Sequence, residues 1–523
     1  MIDEDEEDMQ NKSRVFYTVK NTIFGYVCTI VIGFLGFVNR TALIWSLGAN
    51  YAGINGLFTN VLGVLSFTEL GIGTAFNYSL YKPVAENDEE KIASLMRLYK
   101  QIYRLVALVT AFLGMIILPF LSYIVKDPGD IGNIYIYYGV FLFNVVTSYF
   151  VSYKYSLVNA CQENYLFSVI NLVTKLVTCT IQLLVLYWGY KYILYLLVGA
   201  FIDLIQKVWV AFYLNHRYPI LCAKDVKTLE KAEQVKIWSN VRALIFHKVG
   251  DVAVHQTDNI IVSAFIDIAT VGKVSYYDGF IAAANQILSV AMNAVVGSLG
   301  NALSSENSET SYRLFKAYRF VAFWIYGYAA IGLYILITKL VVLFVGAGMT
   351  ISNLVVFLII LNFYMLGHRT AINNLKVAGG VFRQDQFLAF FQAIVNLVAS
   401  IVLVKTIGLP GVYLGTLLQG TLSTIIRPII VYKEMFHRSA EEYFFTGVKY
   451  LLAVITAGTI CFVVDYLYFK MNTLFLFVIE AILITIIVNG LFFLLFCKTE
   501  EFRYLRSIFT ERFLKKYLYI RRR

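Results

Sequence analysis

Residues Arg242–Asp267 read RALIFHKVGDVAVHQTDNIIVSAFID. The run is long and apolar enough to cross a membrane, which takes about 20 residues as a helix. It nevertheless carries His247, Lys248, Asp251, His255 and Asp258. On a helix, positions 247, 251, 255 and 258 fall at i, i+4, i+8 and i+11 and share one face. An Asp or Lys facing lipid near the bilayer centre costs roughly 2.5–3.5 kcal/mol. Lys248, Asp251 and Asp258 together would cost on the order of 8 kcal/mol. The face must therefore look into protein or a water-filled cavity. It reads either as a polar seam holding helices together or as the lining of a pathway, and the rest of the chain favours the pathway.

Hydrophobic residues make up 59% of the 523, charged residues only 15%, and mean hydropathy is +0.69. Soluble domains carry about 25% charged residues, so the composition is that of a polytopic membrane protein. The net charge of +11 could point to nucleic acid. Its distribution instead places basic loops beside anionic lipid. The six Cys form no CxxC, and most sit in apolar runs, so neither a disulfide framework nor a metal site is implied. The acidic start, MIDEDEEDMQ, is not a signal peptide. The first span must then act as an uncleaved insertion signal.

Fourteen spans are expected, at about 17–46, 52–80, 101–125, 132–154, 165–187, 192–214, 238–265, 272–300, 317–338, 351–375, 386–405, 410–431, 446–468 and 474–497. One set of loops holds Lys82, Lys91, Arg97 and Lys100, then Arg217, Lys224, Lys227, Lys231 and Lys236, and so on into a basic tail. The opposite loops hold at most a single Lys, such as Lys126 or Lys339. By the positive-inside rule both termini are cytoplasmic. Asp88–Arg104 places Ile92, Leu95, Met96, Tyr99 and Tyr103 on one side of a helix, as an interfacial amphipathic segment would. The tail from Glu500 alternates aromatic and basic residues like a surface-lying helix.

A weak internal repeat is visible. Asn39-Arg40 is followed by Ala52-Gly53, and Asp258-Asn259 is followed at the same spacing by Val271-Gly272. Spans 1–2 and 7–8 thus look equivalent. The expected fold is an all-α polytopic membrane protein of about 14 transmembrane helices, in two pseudo-symmetric six-helix lobes plus a C-terminal pair. Its parts are a disordered acidic terminus (1–14), an N-lobe (15–215), a cytoplasmic linker (216–236), a C-lobe (237–433), spans 13–14 (434–497) and a basic cytoplasmic tail (498–523). Two-lobed repeats are typical of alternating-access transporters.

Ionisable residues at membrane depth are the candidate functional groups. They include Arg40, Glu69, Lys175, Asp203, Lys207, Lys248, Asp251, Asp258, Asp278, His368 and Arg369. Lys154, Lys376 and Arg427 sit at inner helix ends, where a long side chain can snorkel to headgroups. Lys175 and Asp203 could form an ion pair or meet substrate. Asp465 and Glu480 fall near outer helix ends and read as interfacial. Glycines 53, 56, 63, 71 and 73 in the second span allow close helix approach. Tyr276 and Tyr277 could meet a sugar. No P-loop, HExxH or other catalytic constellation appears, so an enzyme is not expected.

Several blocks carry a family resemblance: Gly53-Ile54-Asn55-Gly56-Leu57-Phe58, Glu69-Leu70-Gly71-Ile72-Gly73, Ser79-Leu80-Tyr81-Lys82-Pro83 and the run from Lys91 to Lys100. These resemble the N-terminal region of Wzx-type polysaccharide flippases of the multidrug/oligosaccharidyl-lipid/polysaccharide (MOP) exporter superfamily. The resemblance implies translocation of undecaprenyl-pyrophosphate-linked oligosaccharide across the bacterial cytoplasmic membrane, by alternating access through a cationic central cavity, for O-antigen, capsule or exopolysaccharide synthesis. Arg40 fits by position the role that the resemblance implies for cationic residues of the first helix, and Lys175, Lys248 and Arg369 by their depth, with Lys154, complete the substrate-binding candidates. His247, Asp251, His255, Asp258, Asp278, Glu69 and Asp203 are the ion-coupling or gating candidates. No cofactor is expected beyond a coupling Na+ or H+. The implied partners are the lipid-linked substrate, membrane lipids, a polysaccharide polymerase and glycosyltransferases, with no nucleic acid. The competing readings are a cation-coupled multidrug antiporter of the same fold and a membrane polymerase or glycosyltransferase. The latter lacks the large loop or domain it would need.

Overall fold

The computed structural model describes residues 2–66, 72–223, 256–305, 308–379, 386–469 and 473–507, parts of 226–238, and positions 381, 384 and 510. Side chains are described from residue 24 onward, except at 74–75, 294–308 and 386. Among the described residues all regular structure is helical, and eleven helices are long and apolar enough to cross a membrane. The chain is a multi-pass membrane protein. The expected spans at 52–80, 238–265 and 272–300 each include residues or side chains outside this description.

The helices are α1 (Ile2–Leu47), α2 (Ala49–Leu65), α3 (Ile72–Ala85), α4 (Glu89–Ile117), α5 (Leu121–Ile124), α6 (Ile134–Ala160), α7 (Tyr165–Tyr187), α8 (Tyr192–Arg217), α9 (Asp258–Phe265), α10 (Ile268–Ser305), α11 (Ser308–Val345), α12 (Asn353–Ala378), α13 (Gln386–Ile407), α14 (Leu409–Val431), α15 (Glu441–Tyr468) and α16 (Leu474–Phe496). The acidic segment 1–14, expected to be disordered, is part of α1 from Ile2 onward. No Gly or Pro interrupts the chain before Gly25. Contacts divide the chain into two compact units, residues 1–275 and 276–523.

In the first unit α1 packs on α7, α4 on α6, and α6 on α8. Asp88 caps α4 by accepting from the Lys91 amide at 2.9 Å, with Glu89 and Glu90 in the first turn. The amphipathic face of α4 does not lie in the membrane interface. Ile92, Leu95, Met96, Tyr99 and Tyr103 are all buried, in a core with Phe76 of α3, Tyr153 of α6 and Ile237. Phe76 stacks on Tyr99 at 4.2 Å, and Tyr99 donates to the Tyr103 hydroxyl at 3.1 Å. The segment following α8 covers this face. Ser94 Oγ donates to the Lys227 carbonyl at 2.8 Å, Arg97 to that of Val226 at 3.0 Å, and Lys91 pairs with Glu233. Lys227 pairs with Glu90 at 2.6 Å, a hydrogen bond that raises its pKa above the ordinary lysine value. Burial of each large apolar side chain contributes roughly 1.5–3 kcal/mol, so a protein partner wins over the interface.

In the second unit α11 packs on α12, α15 and α16, and α13 and α14 form a hairpin on α12. The hairpin seam is polar and buried. Gln392, Asn396 and Ser400 recur every four residues on α13 and meet Gln419, Thr416 and the Val412 carbonyl of α14. Such bonds between helices substitute in lipid for a hydrophobic driving force. The C-terminal pair is held at both ends. At one end Phe323 stacks on Tyr450 at 4.1 Å among Phe320, Phe492 and Phe496. At the other, Lys339 of α11 pairs with Asp465 and, at 2.8 Å, with Glu480. Asp465 and Glu480 are therefore not independent interfacial groups. Glu480 is only 3% exposed, because its counter-charge stands on a helix more than a hundred residues earlier. Past α16 the chain turns at 497–499 and is helical again from 500 to 507, with Phe502 and Leu505 against the same aromatic core.

Candidate functional site

Arg40 lies on α1, where the sequence expects it, half-buried. Its Nη1 donates to the Ser275 carbonyl of α10 at 2.8 Å. The neighbouring Asn39 is buried and donates to Gln182 Oε1 of α7 at 2.6 Å, and Gln182 donates to the Tyr195 carbonyl of α8 at 3.0 Å. This polar chain fixes the rotation of α1 against α7 and α8, and with it the direction of Arg40.

Lys175 and Asp203, read as either an ion pair or substrate contacts, do not pair with each other. Asp203 Oδ2 accepts from Asn144 Nδ2 of α6 at 2.8 Å. Lys207, one turn on, donates to the Asn144 carbonyl at 2.7 Å and to Thr147 Oγ1 at 3.1 Å. One asparagine on α6 thus satisfies both charges of α8, while Lys175 stays half-buried on α7. Lys154 does not snorkel. It is 5% exposed and donates to the Ala211 carbonyl at 2.9 Å and Asn215 Oδ1 at 2.7 Å, at the end of α8. A cation there complements the carbonyls of a helix C-terminus. Lys376 is likewise buried, at 8% exposure.

The second unit holds the most unusual electrostatics. Arg369 of α12 is buried, donating through Nε to the Met365 carbonyl and through Nη1 to the Gly420 carbonyl of α14, both at 3.1 Å. Arg319 of α11 is 4% exposed. Its guanidinium lies 3.5 Å from the centre of the Tyr443 ring, and Nη2 donates to the Tyr443 carbonyl at 2.6 Å. Its Nε is buried with no hydrogen-bond partner. Among the described residues neither arginine has a carboxylate partner. Arg427 of α14 donates to Asn373 Oδ1 at 2.8 Å on the same side of α12. His368 lies against the Tyr443 ring, with centroids 5.6 Å apart. Gly447 makes room, since a Cβ there would meet Arg319 Nη2 at 3.0 Å and the His368 ring at 3.4 Å.

Burying a charge costs several kcal/mol unless it is paired and hydrogen-bonded. Carbonyl dipoles and the tyrosine face offset part of that cost here. The remainder is a fixed positive potential with planar donors suited to phosphate oxygens. Sequence reading named Arg369, His368 and Arg427 but missed Arg319. The available signal was an arginine placed just inside the apolar run that starts near Ala317.

Other candidates are less informative. Asp258 opens α9, where the helix dipole favours a negative charge. Asp278 is half-buried on α10, and the adjacent Tyr276 and Tyr277 are buried rather than offered to a sugar. Glu69, His247, Lys248, Asp251 and His255 lie outside the described residues. No cluster of three or more metal-ligating side chains occurs among the described residues.

The fold has solved counterparts. The lipid II flippase MurJ, in an inward closed conformation, aligns with a TM-score of 0.63 at 15% identity, covering 90% of this chain and 99% of that one. A multidrug resistance MATE family transporter of the MOP superfamily, inward-facing, aligns at 0.52 and 12% identity over 78% and 96%. The MATE multidrug transporter DinF-BH aligns at 0.54 and 13% identity over 81% and 97%. No protein-family model matches the sequence. No curated protein matches it either. The chain therefore has the fold shared by MurJ and the MATE transporters of the MOP superfamily.

Proposed function

We propose that this chain is a flippase for an anionic lipid-linked oligosaccharide, of the undecaprenyl-pyrophosphate class, built on the MOP transporter fold. The carrying observation is the pair Arg319 and Arg369, buried in one helix unit without carboxylate partners among the described residues. A pyrophosphate crossing low dielectric needs charge-assisted donors, and guanidinium supplies them bidentately. An organic-cation antiporter would need the opposite sign. In the first unit Asp203 is already engaged by Asn144, which weakens that rival.

In this reading the Wzx-type resemblance supplies the substrate, and the protein acts in surface-polysaccharide assembly at the bacterial cytoplasmic membrane with both termini inside. Arg40, Lys175, Lys248 and Arg369 meet the pyrophosphate and sugars. The carboxylates and histidines of 247–258, with Asp278, couple an Na+ or H+ gradient. Lys154 supports α8 from inside the first unit. The chain itself carries out no bond chemistry.

The test is reconstitution in liposomes with a fluorescent polyprenyl-pyrophosphate oligosaccharide. Protein-dependent appearance of the glycan in the opposite leaflet, read by an impermeant glycosidase, is expected. Dye-cation export without glycan transfer would instead make the chain a drug antiporter.

A further inference from the structure

Gly53 and Gly272 occupy the same place in the two repeats, each standing equally far after Asn39-Arg40 or Asp258-Asn259. In the first unit they touch. A Cβ on Gly53 would lie 2.0 Å from the Ile268 carbonyl oxygen, and one on Gly272 would lie 2.1 Å from the Ala49 carbonyl oxygen. Ile268 stands one helical turn before Gly272, and Ala49 one turn before Gly53. The contact is thus reciprocal: each glycine seats on the carbonyl one turn before the other, as at a local two-fold axis. The seam continues along α2. A Cβ on Gly56 would be 2.6 Å from Ser275 Oγ, and one on Gly63 would be 2.8 Å from Gln256 Oε1. Asn60 Nδ2 reaches the Gln256 carbonyl at 3.4 Å. Ser275 is in turn the repeat position of Gly56, and its carbonyl is the one that receives Arg40 Nη1.

Backbones this close are held by dispersion and weak polar contacts, which decay within about 1 Å of separation. Arg40 adds a charged donor at one end of the crossing. It is also only half-buried. The Ser275 carbonyl offers Nη1 one uncharged acceptor, whereas a diphosphate offers the planar guanidinium a bidentate ion pair.

We propose that the Gly53–Gly272 crossing is a latch, fastened by Arg40 on the Ser275 carbonyl and released when a diphosphate takes Arg40. Substrate capture and parting of α2 from the start of α10 then become one event. Arg40 does not merely attract substrate: it reports its arrival to the seam. The idea rests on the anionic-substrate reading above.

The experiment uses the full chain in detergent, with its six native cysteines replaced by serine and the pair Asn60→Cys and Gln256→Cys introduced across the seam. Oxidative cross-linking should be efficient, and millimolar inorganic pyrophosphate should lower it several-fold. Arg40→Gln should abolish the pyrophosphate effect. Gly53→Ala and Gly272→Ala should each lower cross-linking without any ligand. If those variants cross-link like the parent, the crossing is no steric latch; if they do not fold, the pyrophosphate arm decides alone. Thermal unfolding separates the two layers of the argument, since a bound ligand raises Tm. Pyrophosphate that raises Tm but leaves cross-linking unchanged overturns the latch and spares the substrate reading. Pyrophosphate that does neither overturns both.

Discussion

Arg319 lies face-on to Tyr443 at 3.5 Å and bonds to the carbonyl of that same residue, so one aromatic residue of α15 supplies both a π face and a dipole to a buried cation of α11. This arrangement holds the guanidinium without neutralising it.

The first prediction follows from that contact. Arg319→Gln keeps much of the volume and removes the charge, and should lower glycan translocation several-fold while membrane insertion persists. Arg319→Lys should fall between, since an ammonium lacks the planar stacking of guanidinium. Initial transfer rates in liposomes, normalised to folded protein, check it. Equal rates for wild type and Arg319→Gln would leave the cation a purely structural role.

The Lys339–Asp465–Glu480 cluster should behave as a buried ion network. Lys339→Met leaves two carboxylates facing each other and should destabilise by about 3–5 kcal/mol. Adding Glu480→Gln to that variant should recover much of the loss, because the second charge no longer goes uncompensated. Thermal unfolding of the three proteins in detergent measures this, and an additive rather than compensating double variant would refute the network.

Gly415 is tight against Ser400: a Cβ would lie 2.2 Å from its Oγ and 2.7 Å from its backbone nitrogen. Gly415→Ala should therefore cost about 1–3 kcal/mol, as overpacking does. Ser400→Gly should fail to rescue it, since the backbone nitrogen stays in place. The rescue experiment, read by unfolding temperature, separates backbone from side-chain interference.

Lys154→Met tests a cation that the sequence places with the substrate contacts and that the structure finds bonded to the end of α8. Loss of both hydrogen bonds should destabilise by about 1–3 kcal/mol. Transport per folded molecule should stay close to wild type. A selective transport loss at unchanged stability would return Lys154 to the pathway.

Some of this was legible beforehand and some was not. The apolar runs that became α7, α8, α13, α14 and α16 end within a few residues of where length and hydropathy put them, because a bilayer dictates span length directly. The pairing of Gly53 with Gly272 was foreshadowed by equal spacing after two polar dipeptides, although spacing alone cannot say that equivalent residues touch. The amphipathic start of α4 was legible as a helix with one apolar face, and its partner was not. Periodicity reports that a face is apolar, and whether lipid or protein covers it depends on a segment more than a hundred residues later.

What the sequence alone determined is therefore what depends on neighbours along the chain: an all-helical fold, the approximate place of many of its spans, the membrane as solvent, and the presence of charges that lipid would not tolerate. Tertiary structure alone decided where those charges go. Asp203 went to Asn144 rather than Lys175, Glu480 to Lys339, Lys154 to the end of α8, and Arg319 to the face of Tyr443. The physical reason is that a buried charge is stabilised by whatever donor, acceptor or aromatic face lies within a few ångströms. In a helical membrane protein that partner stands on another helix, at a distance in sequence that no local pattern records.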